Sequence, residues 1–230
     1  MSVSGDITYA VLWDMDGVLV DTAPFHRQAW ETLSQEAGFP MSNEDFRHTF
    51  GWRNKEILRE LIGPGISDER VIELGDHKEE LYRDLVWGNV KPLPGATELL
   101  RKLHRAGFRQ AVASSAPRAN IELILEELGI EDYFAVVLCD RDVERGKPDP
   151  QVFLQAAQRL DVTPACCLVI EDAVMGVRAA KGAGMACLAV ATTHPAEGLG
   201  EADRVVASLT EVIVGDVKRL LGIRQRVERQ

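Results

Sequence analysis

The feature of this sequence that most limits its fold is the alternation of short apolar runs with longer amphipathic segments. Such alternation is typical of βαβ units, in which helices cover both faces of a parallel sheet. We predict six strands, at residues 10–13, 110–113, 136–139, 167–170, 186–190 and 205–206. We predict five helices between and after them, at residues 95–106, 118–128, 150–160, 174–183 and 209–221. The predicted fold class is therefore α/β, a parallel sheet flanked by helices.

One region, residues 21–91, breaks this alternation because its apolar residues recur at intervals of three and four. We predict an all-α insertion of four helices, which ends at the stiff connection Lys91-Pro92-Leu93-Pro94-Gly95. An insertion directly after the first strand would lie over the carboxyl edge of the sheet, where ligands bind in open α/β folds. We therefore predict an α/β core domain of residues 1–20 and 92–230, with a solvated tail at 224–230, and a helical-bundle cap domain of residues 21–91.

Composition and charge exclude several classes of function. The 36 acidic against 26 basic residues leave a net charge of −10, which disfavours binding to nucleic acid or to anionic membrane surfaces. No apolar stretch reaches the ~18 residues of a membrane span, and residues 1–6 do not resemble an export signal. The four cysteines lie in apolar runs and the histidines are scattered, so we predict core thiols and no zinc site. We expect a cytoplasmic monomer.

Polar side chains follow three of the predicted strands. Asp14 and Asp16 follow the first, Ser114 the second and the pair Glu171-Asp172 the fourth. Because the carboxyl ends of parallel strands meet at one edge of a sheet, we expect these side chains to lie close together.

Asp14 and Asp16 lie two residues apart in Asp14-Met15-Asp16-Gly17. In an extended chain such residues share a face, and Gly17 allows a turn, so both carboxylates can enter one pocket. The pair suits a nucleophile, Asp14, and an acid/base, Asp16. The alternative is an Asp-Gly turn with two solvated carboxylates.

Glu171-Asp172 would bring a second acidic pair to the same edge. Four carboxylates at such short distances raise one another's pKa values unless a cation lies between them, and Mg²⁺ prefers oxygen ligands. We predict a magnesium site there. The alternative is that Asp172 only caps the helix that follows.

Lys147 lies in Gly146-Lys147-Pro148, where the proline favours an extended conformation for the lysine. Its ammonium group can then reach the sheet edge, balance the carboxylates and hold a phosphoryl oxygen, with Ser114 donating to another. The alternative is a surface lysine in a turn.

Taken in order, Asp14-Met15-Asp16-Gly17-Val18, Ser114, Lys147 and Glu171-Asp172 with Gly176 downstream resemble the haloacid dehalogenase-like (HAD) superfamily, across nearly the whole chain. The resemblance implies a Rossmann-like core with a cap, and Asp14 as nucleophile, Asp16 as acid/base, and Ser114 and Lys147 as phosphate-binding residues. It also implies Mg²⁺ held by Asp14, the Asp16 carbonyl and Asp172, with Glu171 beside it. The second aspartate, Asp16, implies phosphoryl transfer rather than dehalogenation.

Residues 14–30 are similar to the branch of β-phosphoglucomutases and sugar-phosphate phosphatases. That similarity implies that Thr22, His26 and Trp30 line the hinge and couple cap closure to protonation of the acid/base aspartate, and Lys78 matches a cap lysine. We predict that these four residues and Ser115, beside Ser114, contact the substrate. Where a mutase has an arginine for the substrate's distal phosphate, this chain has Asn54, with Arg53 one residue earlier. His26 and Trp30, four residues apart, would alternatively pack only against each other.

The function expected from these residues is a Mg²⁺-dependent phosphatase of small phosphorylated metabolites, sugar phosphates above all, that forms an aspartyl-phosphate. The alternatives are a phosphomutase, which the loss of the arginine disfavours, and a non-catalytic phosphometabolite sensor, which has no need of Asp14 and Asp16 as a pair.

Overall fold

The computed structural model of the chain describes residues 7–223. The predicted solvated tail, 224–230, and residues 1–6 lie outside the described residues. Its strands are β1 (Ala10–Trp13), β2 (Arg109–Ala113), β3 (Val136–Leu138), β4 (Cys167–Glu171), β5 (Ala186–Val190) and β6 (Arg204–Val206). Its α-helices are α1 (Ala23–Ala37), α2 (Asn43–Thr49), α3 (Asn54–Ile62), α4 (Asp68–Val86), α5 (Ala96–Arg105), α6 (Arg118–Leu128), α7 (Gln151–Arg159), α8 (Val174–Gly182) and α9 (Val214–Leu220).

The six strands form one parallel sheet in the order β3-β2-β1-β4-β5-β6. The chain runs from β1 outward to β3 and then crosses to β4 on the other side of β1, so the direction of winding reverses between β1 and β4. A reversal of this kind opens a crevice at the carboxyl ends of the two strands. The predicted α/β class with a Rossmann-like sheet is confirmed.

Alternate residues of the central strand point to opposite faces of the sheet, and both faces are covered. Val11 and Trp13 pack into the apolar layer formed with α5, α6 and α9. Ala10 and Leu12 pack into the layer formed with α7 and α8. All four residues of β1 are fully buried, which is why the strand has no polar alternation.

The helix predicted over 209–221 is wrong in its extent. Leu209–Glu211 is a single 3₁₀ turn, and α9 begins only at Val214. Between them Ile213 is extended, and its N–H donates to Asp216 Oδ2 at 3.1 Å, which starts a new helix. The other predicted elements of the core agree with the structure to within one residue at each end.

The four helices α1 to α4 lie between the first strand and the rest of the core, as predicted for the insertion. They have an apolar cluster of their own around Trp30, Leu33 and Leu58. The two connections to the core lie side by side: Leu93 N–H donates to Leu19 O at 2.8 Å, and Val20 pairs with Pro92 in an isolated bridge.

No helix of the described residues combines the length and the apolar character needed to cross a lipid bilayer.

Candidate active site

The site begins where β1 ends, beside the end of β4. Asp14 N–H donates to Ile170 O at 3.0 Å, so the ladder between the two strands continues one residue past β1. This bond sets Asp14 next to Glu171 and Asp172, and all three carboxyl groups are buried. The strand ends therefore converge here as the sequence predicts.

Lys147 is the cation of this acidic group. Its Nζ lies 2.5 Å from Asp14 Oδ1 and 2.6 Å from Glu171 Oε1, and 5.1 Å from the centre of the Phe153 ring. Burial disfavours the charged ammonium, but the two carboxylates outweigh burial, so the pKa of Lys147 is raised and the group stays protonated. The lysine thus reaches the sheet edge and is not a surface residue of a turn.

Glu171 holds neighbouring groups of the site in place through hydrogen bonds. Its Oε2 accepts hydrogen bonds from the N–H groups of Asp172 and Ala173, at 2.9 and 3.0 Å, while Oε1 accepts from Lys147. A Cβ at position 176 would overlap this carboxylate, so Gly176 is the residue that leaves room for it. Glu171 therefore aligns Lys147 and the start of α8, and both of its carboxylate oxygens accept hydrogen bonds from these groups.

The residues present fit a divalent metal. Oxygens of Asp14, Glu171 and Asp172 lie within 4.8 Å of one another. Burial and the neighbouring carboxylates raise the pKa of Asp14 to about 7 and hold the pKa of Asp172 well above its ordinary value, so the three carboxylates are ionised together only with a cation in addition to Lys147. Gly17 has a φ of +76°, and a Cβ there would overlap Asp172. The hard oxygen donors suit Mg²⁺.

Asp16 occupies a different environment from Asp14. Its Oδ1 accepts a hydrogen bond from the Thr22 hydroxyl and lies 3.7 Å from His26 Nε2. Burial alone would raise the pKa of Asp16, but the nearby His26 ring and the hydrogen bond from Thr22 outweigh burial and lower it. Asp16 is therefore an ionised carboxylate that faces the cap helices, whereas Asp14 faces the lysine.

His26, in α1, connects Asp16 to Lys78 of α4. Its Nδ1 lies 2.8 Å from Lys78 Nζ, and its ring stacks on Tyr82 with 4.1 Å between centroids. Burial and the Lys78 charge lower the pKa of His26, so the ring is neutral: Nδ1 accepts from the lysine and Nε2–H points towards Asp16. Trp30 lies under Lys78, with 5.5 Å from Nζ to the ring centroid. His26 thus stacks on Tyr82 rather than on Trp30.

Ser114 follows β2, as predicted, and is buried. Its Oγ accepts a hydrogen bond from Ala116 N–H at 3.1 Å, which leaves the hydroxyl proton available to donate. Within residues 7–223 it makes no hydrogen bond to Asp14 or Lys147. Ser115 beside it is half-buried.

Arg53 and Asn54 point in different directions. Arg53 reaches from the start of α3 to the loop before Lys147, where its Nη1 donates to Glu144 O at 3.3 Å. Asn54 stays within the cap, and its Nδ2 donates to Glu79 Oε1 at 2.7 Å. The two neighbours therefore do not form one binding group.

Three residues that sequence reasoning missed also lie at this site. Thr193 lies just beyond β5 and beside Asp172, and the strand-end rule that selected Ser114 points to this loop. Glu79 and Asn120 contact each other across the cap and the core. Nothing local distinguishes Glu79, because it lies in the charged run Lys78-Glu79-Glu80, which is typical of a solvated helix face.

The chain resembles known proteins over almost its whole length. It is 33% identical over 211 residues to the chloroplastic 5-amino-6-(5-phospho-D-ribitylamino)uracil phosphatase of Arabidopsis thaliana, a match that covers 91% of this chain but only 57% of that protein. It is 32% identical over 226 residues to the β-phosphoglucomutase of Bacillus subtilis, with 95% and 99% covered. The crystal structure of a β-phosphoglucomutase from Clostridium difficile superposes with a TM-score of 0.85 at 27% identity, covering 94% of this chain and 98% of that one.

A family model described as haloacid dehalogenase-like hydrolase matches residues 9–184, which include Asp14, Lys147 and Asp172. This span holds both strand ends of the site and the whole insertion. The chain belongs to the haloacid dehalogenase-like hydrolases.

Proposed function

We propose that the chain is a Mg²⁺-dependent phosphatase of small phosphorylated metabolites, sugar phosphates above all, that works through an aspartyl-phosphate on Asp14. The observation that carries the proposal is the separation of the two aspartates into unlike environments. Asp14 contacts Lys147, while Asp16 is held by Thr22 and His26. Carboxylates in unlike environments suit unlike roles, here nucleophile and acid/base.

The reaction needs two displacements at phosphorus. In the first, Asp14 attacks the phosphorus atom while Asp16 gives a proton to the departing ester oxygen, and Lys147 and Ser114 hold phosphoryl oxygens. The substrate's negative charge raises the pKa of Asp16, which favours the protonated form that this step requires. In the second, Asp16 takes a proton from water, the water oxygen attacks phosphorus, and inorganic phosphate leaves Asp14.

Asp14 and Asp172 would hold Mg²⁺ through side-chain oxygens, and the Asp16 backbone carbonyl would add a further ligand. When bound, the ion would supply positive charge next to the phosphoryl oxygens. Glu171 would act beside it, because that carboxylate already holds Lys147.

We propose that residues 21–91 form a cap domain over a core of residues 1–20 and 92–230. The separate apolar cluster of the insertion, around Trp30, Leu33 and Leu58, supports this division. The substrate-side residues of the proposal are Thr22, His26, Trp30, Arg53, Asn54, Lys78 and Ser115.

A phosphomutase is the second candidate, and the contacts from Lys78 to His26 and from His26 to Asp16, which connect the cap to the acid/base, favour it. A mutase must keep a bisphosphate intermediate bound and exclude water while the intermediate reorients. Asn54, an uncharged residue bonded to Glu79, makes that retention harder. A non-catalytic sensor is the third candidate, and the intact set Asp14, Asp16, Lys147 and Asp172 opposes it.

The test is a time course with glucose 1-phosphate, glucose 6-phosphate, fructose 1-phosphate and ribitol 5-phosphate, assayed for both free phosphate and isomerised ester. Phosphate release that EDTA stops and Mg²⁺ restores supports the phosphatase. Isomer without free phosphate would establish the mutase, and binding without either product the sensor.

Asp14→Asn tests the covalent step. We expect no turnover and an unchanged far-UV circular dichroism spectrum, and the wild type quenched in acid should carry a phosphoryl group that the variant lacks. Retained activity in the variant would refute an intermediate at Asp14. That the protein is a cytoplasmic monomer without nucleic-acid or membrane partners stays a prediction.

A further inference from the structure

The buried carboxylate of Glu79 accepts several hydrogen bonds at the junction of the cap and the core. Its Oε1 accepts from Asn54 Nδ2 at 2.7 Å and from Lys78 Nζ at 2.9 Å, and its Oε2 accepts from Asn120 Nδ2 at 2.5 Å. The three donors come from α3, α4 and the core helix α6. Glu79 itself is only 6% exposed.

The donors are fixed in place. Arg83 Nη1 donates to Asn120 Oδ1 at 3.1 Å, which turns the amide so that its Nδ2 faces Glu79. Asn120 is fully buried, and Lys78 is 2% exposed. Burial raises the pKa of Glu79, but Lys78 and the other donors outweigh burial and lower it, so the carboxylate is charged.

This group lies on the path from the acid/base into the cap. Asp16 faces His26, His26 contacts Lys78, and Lys78 contacts Glu79. The contacts that begin at Asp16 therefore end at Glu79, with Asn54 and Asn120 bonded to it. A leaving group that extended from phosphorus past Asp16 along these contacts would reach this group of side chains.

We propose that Glu79 is a specificity-determining residue. Its carboxylate already binds the three hydrogen-bond donors that a second phosphate group of a substrate would need. The enzyme is thereby restricted to monophosphates whose far end is uncharged and carries hydroxyl groups. A second phosphate can only accept hydrogen bonds at neutral pH, so it competes with Glu79 for the same three donors and is repelled by its charge. A hydroxyl group both donates and accepts, so it can bond to the carboxylate and to an amide together. The inference rests on the proposed phosphatase function and names its substrate class.

The experiment measures competition against hydrolysis of p-nitrophenyl phosphate, whose leaving group has no second phosphate. Inhibition constants are determined for fructose 1-phosphate and fructose 1,6-bisphosphate in the Mg²⁺-loaded protein. We expect the wild type to bind the monophosphate at least as tightly as the bisphosphate, despite the latter's extra charge. Tighter binding of the bisphosphate by the wild type would overturn the proposal.

Variants separate the charge of Glu79 from its packing. In Glu79→Gln we expect bisphosphate binding to improve about tenfold relative to monophosphate binding, the scale of one charged hydrogen-bonding group. Glu79→Asp keeps the charge and should keep the wild-type ratio, and Glu80→Gln, on the exposed side of the same helix, changes net charge equally and should also keep it. Glu79→Ala, which frees all three donors, should act in the same direction as Glu79→Gln.

An equal loss of affinity for both sugars in Glu79→Gln and Glu79→Asp would mean that Glu79 only supports the fold, and would overturn the proposal. If neither p-nitrophenyl phosphate nor any of the sugar phosphates named above is turned over, the proposed phosphatase function fails instead. Calorimetric titration of the Mg²⁺-loaded protein with the same two sugars then still measures the ratio.

Discussion

Gly176 lies directly against the carboxylate of Glu171, so closely that a methyl group at position 176 would overlap it. The relationship is specific to this turn of α8. At Gly182 in the same helix, a Cβ would lie 3.7 Å from Pro150, an ordinary contact.

Gly176→Ala should displace Glu171 and with it Lys147, which Glu171 holds at 2.6 Å. We expect kcat for p-nitrophenyl phosphate to fall on the order of 10²-fold, because a small misplacement of a phosphate-binding group has effects of that size. Gly182→Ala is the matched control and should stay within about twofold of wild type, with slightly raised stability. Equal kinetics in the two variants would contradict the assigned role of Gly176.

The metal-free protein should become less stable as pH rises from about 4 to 7. The pKa of Asp14 is raised to about 7 in the fold, so over this range the folded state binds more protons than the unfolded state, and the free energy of unfolding falls with pH. Mg²⁺ takes the place of those protons. Melting curves with EDTA and with Mg²⁺ should therefore differ more at pH 8 than at pH 5, and a shift independent of pH would argue against these carboxylates as ligands.

Asp172→Asn should raise the stability of the metal-free protein at pH 8 while removing its response to Mg²⁺. The charged form of Asp172 is disfavoured by burial and by its acidic neighbours, which is why its pKa is raised, and the amide removes that charge at nearly constant volume. Thermal denaturation with and without Mg²⁺ measures both effects. Lower metal-free stability in the variant would show that Asp172 is held by favourable contacts rather than by a metal.

The cysteines should react unequally with thiol reagents. Burial raises the pKa of the Cys167 thiol to about 12, so almost no thiolate forms there at pH 7.5, whereas its neighbour Cys166 is only half-buried. We expect one thiol of the native protein to react with a disulfide reagent and all four to react in denaturant. Cys166→Ser should abolish the native reaction, and rapid labelling of Cys167 by mass spectrometry would contradict this.

The catalytic edge of the sheet was predictable from sequence because it obeys a local rule. Asp14, Ser114 and Glu171 each follow an apolar run, and parallel strands bring their carboxyl ends together whatever the loops do. The position of Lys147 does not follow from this rule, but the proline after it restricts its backbone to extended conformations.

The contacts between α4 and α6 were not predictable because they depend on which helices meet. Glu79 is buried where α6 brings Asn120 against it, and helical periodicity carries no such information. The break at Ile213 was missed for a related reason. The carboxylate of Asp216 accepts a hydrogen bond from Ile213 N–H and so starts a new helix, and apolar periodicity alone does not show this helix start.

The hydrogen bond between Leu93 N–H and Leu19 O has a consequence for how such enzymes diversify. Because the insertion returns to the core directly beside the point where it leaves, its length and sequence impose no strain on the sheet. Recombination that replaced the insertion with another of different substrate selectivity would therefore leave the register of the parallel sheet unchanged.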